Sequence, residues 1–136
     1  MQSRSQIVEL INPAHLHDPR PNGYSTAAIA EGGRTAFISG QGGQDRTGNL
    51  SPDFAEQVSQ AYANLAAVLA ALGAGPEHVL KLTVFVVDHD MAKLGPLTQA
   101  VLQMFGDTPP AQTLVPVPKL AIDPMLFEVE AMVQLP

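Results

Sequence analysis

Two glutamates near the C-terminus, Glu128 and Glu130, are the residues whose type and spacing most readily suggest chemistry. On a strand, two-residue spacing sets both on one face roughly 6.5–7 Å apart, room enough for a water between two carboxylates. The plainer reading is the solvated outer face of an edge strand. Context decides between them, because a carboxylate on a face that becomes an intersubunit cleft is partly desolvated and better tuned as an acid or base. The other candidates have less behind them. His15-Leu16-His17-Asp18 could set two imidazoles on one side of an extended segment, but no third ligand stands nearby and no metal site is expected. His78 and His89 flank an apolar run and read as its polar ends, without serine and aspartate partners. Gly40-Gln41-Gly42-Gly43-Gln44 has neither the GxxxxGKS/T pattern nor a third glycine in the GxGxxG register, which argues against a nucleotide site. Ser39 lacks a G-x-S-x-G elbow, which argues against a serine hydrolase. The chain has no cysteine, so thiolate chemistry, disulfides and Cys-ligated zinc are excluded.

Composition narrows the classes further. At 136 residues the chain is long enough for one domain with a real core and too short for two enzymatic domains, so residues 1–136 are expected to form a single domain. Charged residues make up 15%, where an ordinary soluble domain carries about 25%. That shortage points to surface buried in an oligomer. Seven Lys plus Arg against thirteen Asp plus Glu give a formal charge of −6, which removes the electrostatic attraction that dominates nucleic-acid affinity. No apolar run reaches the roughly 18–20 residues that span a bilayer, and MQSRSQIVEL has no signal-peptide h-region. The expectation is a soluble cytoplasmic protein with neither a membrane nor a nucleic-acid partner.

Around the candidate residues the elements follow from pattern. Residues 12–23, with three prolines, read as an extended arm that something outside must hold. Residues 26–30 and 35–39 are short apolar runs separated by Glu31-Gly32-Gly33-Arg34, which predicts an antiparallel pair. After the glycine-rich loop 40–49, Ser51-Pro52-Asp53 announces a helix, with Ser51 as its capping hydroxyl. Phe54, Val58, Ala61, Leu65, Val68 and Leu72 share one face of it, and Gly73 ends it. Residues 78–88 are apolar at nearly every position, fitting a central strand covered on both faces. A second helix is expected from Pro96 to Phe105, followed by strands at 112–117 and 125–134. The order β, ββ, α, β, α, ββ is that of an α+β domain.

Taken together these segments resemble the Rid family, also called the YjgF/YER057c/UK114 family. The resemblance is carried by Tyr24-Ser25, Phe37-Ile38-Ser39-Gly40-Gln41, Gln57 and Asn64, Val79 to Asp88, Pro110-Ala111, and Phe127-Glu128-Val129-Glu130-Ala131, in order along nearly the whole chain. It implies a chorismate-mutase-like protomer, a mainly antiparallel six-stranded sheet backed by two helices, and a homotrimer with a small-molecule ligand in each intersubunit cleft. It also implies cofactor-free hydrolysis of enamines and imines to 2-keto acids and ammonia. By position, the resemblance places Tyr24, Ser39, Gln112 and Glu128 in the cleft; Tyr24, Ser39 and Glu128 are the expected catalytic residues, and Gly40, Gln112, Leu114 and Lys119 the expected substrate contacts.

Gln112 is the departure. The deaminase members carry an arginine there, whose two charge-assisted hydrogen bonds grip the substrate carboxylate. Such bonds contribute roughly 1.5–3 kcal/mol, so a neutral amide should weaken anionic imine binding by about one to two powers of ten. Leu114 makes the cleft more apolar, Pro96 lies near the place of a site asparagine, and Lys119 is a cation that could compensate. The expected activity is hydrolysis of a C=N intermediate other than the 2-aminoacrylate type. The alternative is a non-catalytic trimer that binds a small metabolite or regulates. The family's older association with endoribonuclease activity fits poorly with the charge of −6.

Overall fold

The structure, a computed structural model, describes residues 7–136. The first six residues, part of the segment read above as lacking an h-region, lie outside the described residues. In chain order the elements are β1 (Val8–Ile11), β2 (Ala27–Ala30), β3 (Thr35–Gly42), α1 (Phe54–Ala71), β4 (Val79–Val87), α2 (Leu94–Phe105), β5 (Ala111–Val117) and β6 (Phe127–Gln134). The expected six strands and two helices are present, divided between a four-stranded sheet ordered β3-β6-β4-β5 and a two-stranded sheet β1-β2.

The 3.6-residue periodicity locates α1, although its cap is Asp53 rather than Ser51. The Asp53 carboxylate accepts from the Glu56 amide at 3.0 Å, while Ser51 Oγ donates to Glu56 Oε1 at 2.6 Å. An acid and a hydroxyl two residues apart compete for the same orphan amides, and the one nearer the first turn takes them. Val58, Ala61, Leu65 and Leu69 form the buried face together with Gln57 and Tyr62. Leu72 is exposed instead, because the helix has ended and Gly73 takes a left-handed φ of 72°. The second helix begins two residues before Pro96, after a single turn capped by the Asp90 carboxylate on Ala92 N. Proline is tolerated there because first-turn amides have no intrahelical partner.

The predicted pairing of β2 with β3 does not form. Instead β2 pairs with β1, Val8 opposite Ala30 and Ile11 opposite Ala27, while β3 pairs antiparallel with β6. Gly32 and Gly33, both at positive φ, turn the chain out of one sheet and into the other. Burial explains the choice. The segment Ala27–Ala30 is largely exposed, Ile29 included, whereas β6 sets the buried Ala131 opposite Ile38 and the buried Val133 opposite Ala36. Burying those side chains under α1 contributes far more than a strand of alanines can.

As predicted, β4 is central, antiparallel to β6 and parallel to β5 through the α2 crossover. Its Leu82, Val84 and Val86 pack into the core beneath the helices. The expectation of cover on both faces holds on the helix side only. On the other side Phe85, Phe37 and Met132 meet no helix layer among the described residues, and Phe37 is 74% exposed. The free edge of β5 is touched at its start by a parallel bridge between Ser25 and Ala111, and Pro116 interrupts it further along.

Candidate functional site

The candidate residues fall into two groups on opposite faces of the four-stranded sheet. The first group is Ser39, Gly40 and Glu128. Between Ile38 and Gln41 the pairing of β3 with β6 shifts by one residue, so Ser39 and Gly40 form a β-bulge. A bulge bends its strand and re-aims what it carries. Here the bend brings the Gly40 backbone under the Glu128 side chain: a Cβ at residue 40 would lie 2.3 Å from Glu128 Cδ and 2.7 Å from Oε1. Glu128 is half-buried against this backbone, while Glu130 on the same face is exposed.

Two helix side chains fix that corner. The Asn64 amide donates to the carbonyls of Gly42 and Gln44, both at 2.9 Å, holding the glycine-rich loop to α1. Gln57 is fully buried and uses both ends of its amide. Its Nε2 donates to Ser51 O at 2.7 Å and Pro124 O at 2.9 Å, and its Oε1 accepts from Leu126 N at 2.9 Å. Residue 126 lies two positions before Glu128, so Gln57 sets where β6 begins and hence where the carboxylate stands.

The second group is Tyr24, Gln112 and Leu114. In the parallel register Gln112 lies beside Leu82 and Leu114 beside Val84, which places both on the core-facing side of the sheet. With Tyr24 they line a cavity of about 490 Å³ whose apolar wall is Val84, Leu94, Leu97 and Leu114. Asn22, Thr98 and Thr113 add polar atoms, and no charged side chain among the described residues lines it. Tyr24 is held by its neighbours: Ser25 N donates to Pro110 O at 2.9 Å, Ser25 Oγ donates to Pro109 O, and Asn12 braces both Ser25 and Thr26. The proline-rich arm is therefore held at the start of β5 and against α2, where Gly23 packs on Val101.

Gln112 and Glu128 do not meet within one protomer. They stand two strands apart, about 10 Å across the sheet, and point to opposite sides of it. Lys119 joins neither group, being largely exposed and 3.4 Å from Asp123. Pro96 lies in a separate groove between α1 and α2, which holds none of the other candidates. In the histidine segment, Asp18 is engaged by Arg20 through bonds of 2.8 and 2.9 Å, and this pairing holds its carboxyl below the usual range. Asn22, Leu94 and Thr98 also line the cavity, though no motif or periodicity in the sequence marks them for it. Leu97 carried a signal, since its place on the buried face of α2 was expected.

The family model described as "Endoribonuclease L-PSP" matches residues 17–135. The chain belongs to the Rid (YjgF/YER057c/UK114) family. Among Rid relatives, a RutC family protein of Pyrococcus horikoshii is 35% identical over 116 residues, covering 83% of this chain and 88% of that protein. The RutC family protein UK114 of Drosophila melanogaster is 34% identical over 126 residues, covering 91% and 87%. A Rid family protein of unknown function from Yersinia pestis superposes with a TM-score of 0.91 at 34% identity, covering 96% of this chain and all of that one. No helix among the described residues is long and apolar enough to cross a membrane.

Proposed function

We propose that this Rid protein is a cofactor-independent imine or enamine hydrolase, working in clefts between the protomers of a cytoplasmic homotrimer. The observation that carries the reading is the division of its candidate residues. Ser39, Gly40 and Glu128 lie on the open sheet face, and Tyr24 and Gln112 line a cavity on the other. A single cleft holding all of them needs the first group from one protomer and the second from its neighbour. The exposed Phe37 and the partly exposed Met132, direct cross-strand neighbours, give the open face the apolar surface that association requires.

In such a cleft Glu128 deprotonates or orients a water that attacks the C=N carbon, and Tyr24 and Ser39 hold polar groups of the ligand. Gln112 takes the place of the carboxylate-gripping arginine, so the substrate is not of the 2-aminoacrylate type. Within the protomer Lys119 lies beside Asp123 and does not line the cavity. The test is hydrolysis of a panel of imines, uncharged ones included, by wild type and Glu128→Gln. Turnover that the substitution abolishes is expected, and no turnover of any imine by the wild type refutes the hydrolase reading.

A second reading, a trimer that binds a small metabolite without reaction, is favoured by the uncharged lining of the cavity. Thermal-shift screening separates the two: a ligand that stabilises the protein and is recovered unchanged favours the binding module.

A further inference from the structure

The orientation of the Gln112 amide carries information about the ligand. Its Nε2 lies 3.2 Å from the carbonyl oxygen of Gly23. A backbone carbonyl only accepts, so the nitrogen of the amide must face it and the oxygen must face away. The Gly23 carbonyl is itself held in place. Gly23 sits at φ 91°, its amide donates to Arg20 O at 3.0 Å, and Thr98 Oγ1 donates to Asn22 O beside it. One N–H of Gln112 is thus committed, and no described residue donates to its Oε1. What the side chain offers the cavity is one acceptor and one remaining donor.

An arginine at this position would offer two donors and match a carboxylate. A donor beside an acceptor matches a carboxamide, whose C=O accepts and whose N–H donates. The rest of the lining agrees. None of the described cations reaches the cavity, and its walls are the aliphatic side chains of Val84, Leu94, Leu97 and Leu114. Were Glu128 of a neighbouring protomer to close the cleft, it would set a negative charge near any carboxylate ligand.

We infer that the site takes the carboxamide counterpart of a 2-imino acid, a neutral 2-imino amide with an aliphatic side chain. The inference rests on the proposed cleft being the ligand site. The corresponding reaction balances without an oxidant or reductant. The oxygen of water bonds to the imine carbon while one water proton reaches the nitrogen by way of Glu128. The carbinolamine then loses its C–N bond as the hydroxyl proton passes to the nitrogen, leaving a 2-oxo amide and ammonia.

Isothermal titration of the full chain with 3-methyl-2-oxobutanamide and with 3-methyl-2-oxobutanoate tests the recognition apart from turnover. The amide is expected to bind the wild type at least about tenfold more tightly than the acid, the scale set by leaving one buried polar group unsatisfied. Gln112→Arg should reverse that order, and Gln112→Met should bring the amide down to the level of the acid. An acid that binds the wild type as tightly as the amide, or the absence of binding by either, overturns the inference. Amide-selective binding without imine turnover supports it while refuting the hydrolase reading, so the two fail separately.

Discussion

Replacing Gly40 by alanine isolates what the bulge in β3 does. The added Cβ would stand 2.3 Å from Glu128 Cδ, where ordinary contact begins at 3.4 Å, so the carboxyl group must retreat by about 1 Å. Gly40 is not at positive φ, so alanine adds no backbone strain. The atom that must move is near the end of a half-buried side chain, which bounds the cost to folding at about 1 kcal/mol, the low end of overpacking. A displacement of 1 Å in a reacting group, by contrast, is on the order of 10²-fold in rate. For the proposed hydrolase, Gly40→Ala should therefore leave urea denaturation nearly unchanged while imine hydrolysis falls by about two powers of ten. The Glu128→Ala background supplies the control, because with the carboxyl removed Gly40→Ala should cost nothing further in either measurement. Full activity in Gly40→Ala, or an equal loss of stability in both backgrounds, refutes the claim that Gly40 is there to seat Glu128.

Gln57→Leu leaves the Ser51 and Pro124 carbonyls and the Leu126 amide without their partner, and urea denaturation should register a loss of about 3 kcal/mol or more. Tyr62→Phe should stabilise the protein by up to about 1 kcal/mol, because the hydroxyl is buried with no hydrogen-bond partner among the described residues. Burial also raises the Tyr62 phenol well above its ordinary value of 10. The folded state thus keeps a proton that the unfolded chain releases, and stability must fall as pH rises past about 10. Tyr62→Phe should flatten that alkaline loss in denaturation curves measured from pH 9 to 11, and an unchanged slope contradicts the assignment. If the proposed trimer forms through the open sheet face, Phe37→Asp charges that face beside Met132 and sedimentation should record a shift from three chains toward one. A mass unaffected by the substitution places the interface elsewhere.

The periodic elements were legible because burial imposes their pattern. Val58, Ala61 and Leu65 on α1, and Phe127, Val129, Ala131 and Val133 on β6, are buried as their spacing requires. Partner choice was not legible. The Gly32-Gly33 turn has the local chemistry of a hairpin, yet it links two sheets, because which strand lies beside β3 depends on the apolar area that a segment ninety residues later can bury. The candidate site was legible in residue types and not in geometry. Nothing local to Gln112 tells which face of β5 it occupies, since that follows from the parallel register with β4, and its hydrogen bond to Gly23 spans 89 residues. Gln57 and Asn64 carried the family resemblance without a role, because polar residues on a helix read as solvent-facing until the loops they hold are in place.

The outer edge of β5 bears on how copies of this chain can add to one another. An unpaired strand edge is a template for another strand, and edge-to-edge growth has no natural end. Here Ser25 caps the start of that edge, and Pro116, lacking an N–H, breaks its row of donors further along. With that edge blunted, open-ended growth along β5 is disfavoured, and in the proposed trimer the open face of one protomer meets the cavity side of the next, a contact that closes into a ring when its rotation divides a full turn. The strand that carries Gln112 thereby also favours a finite assembly over a fibre.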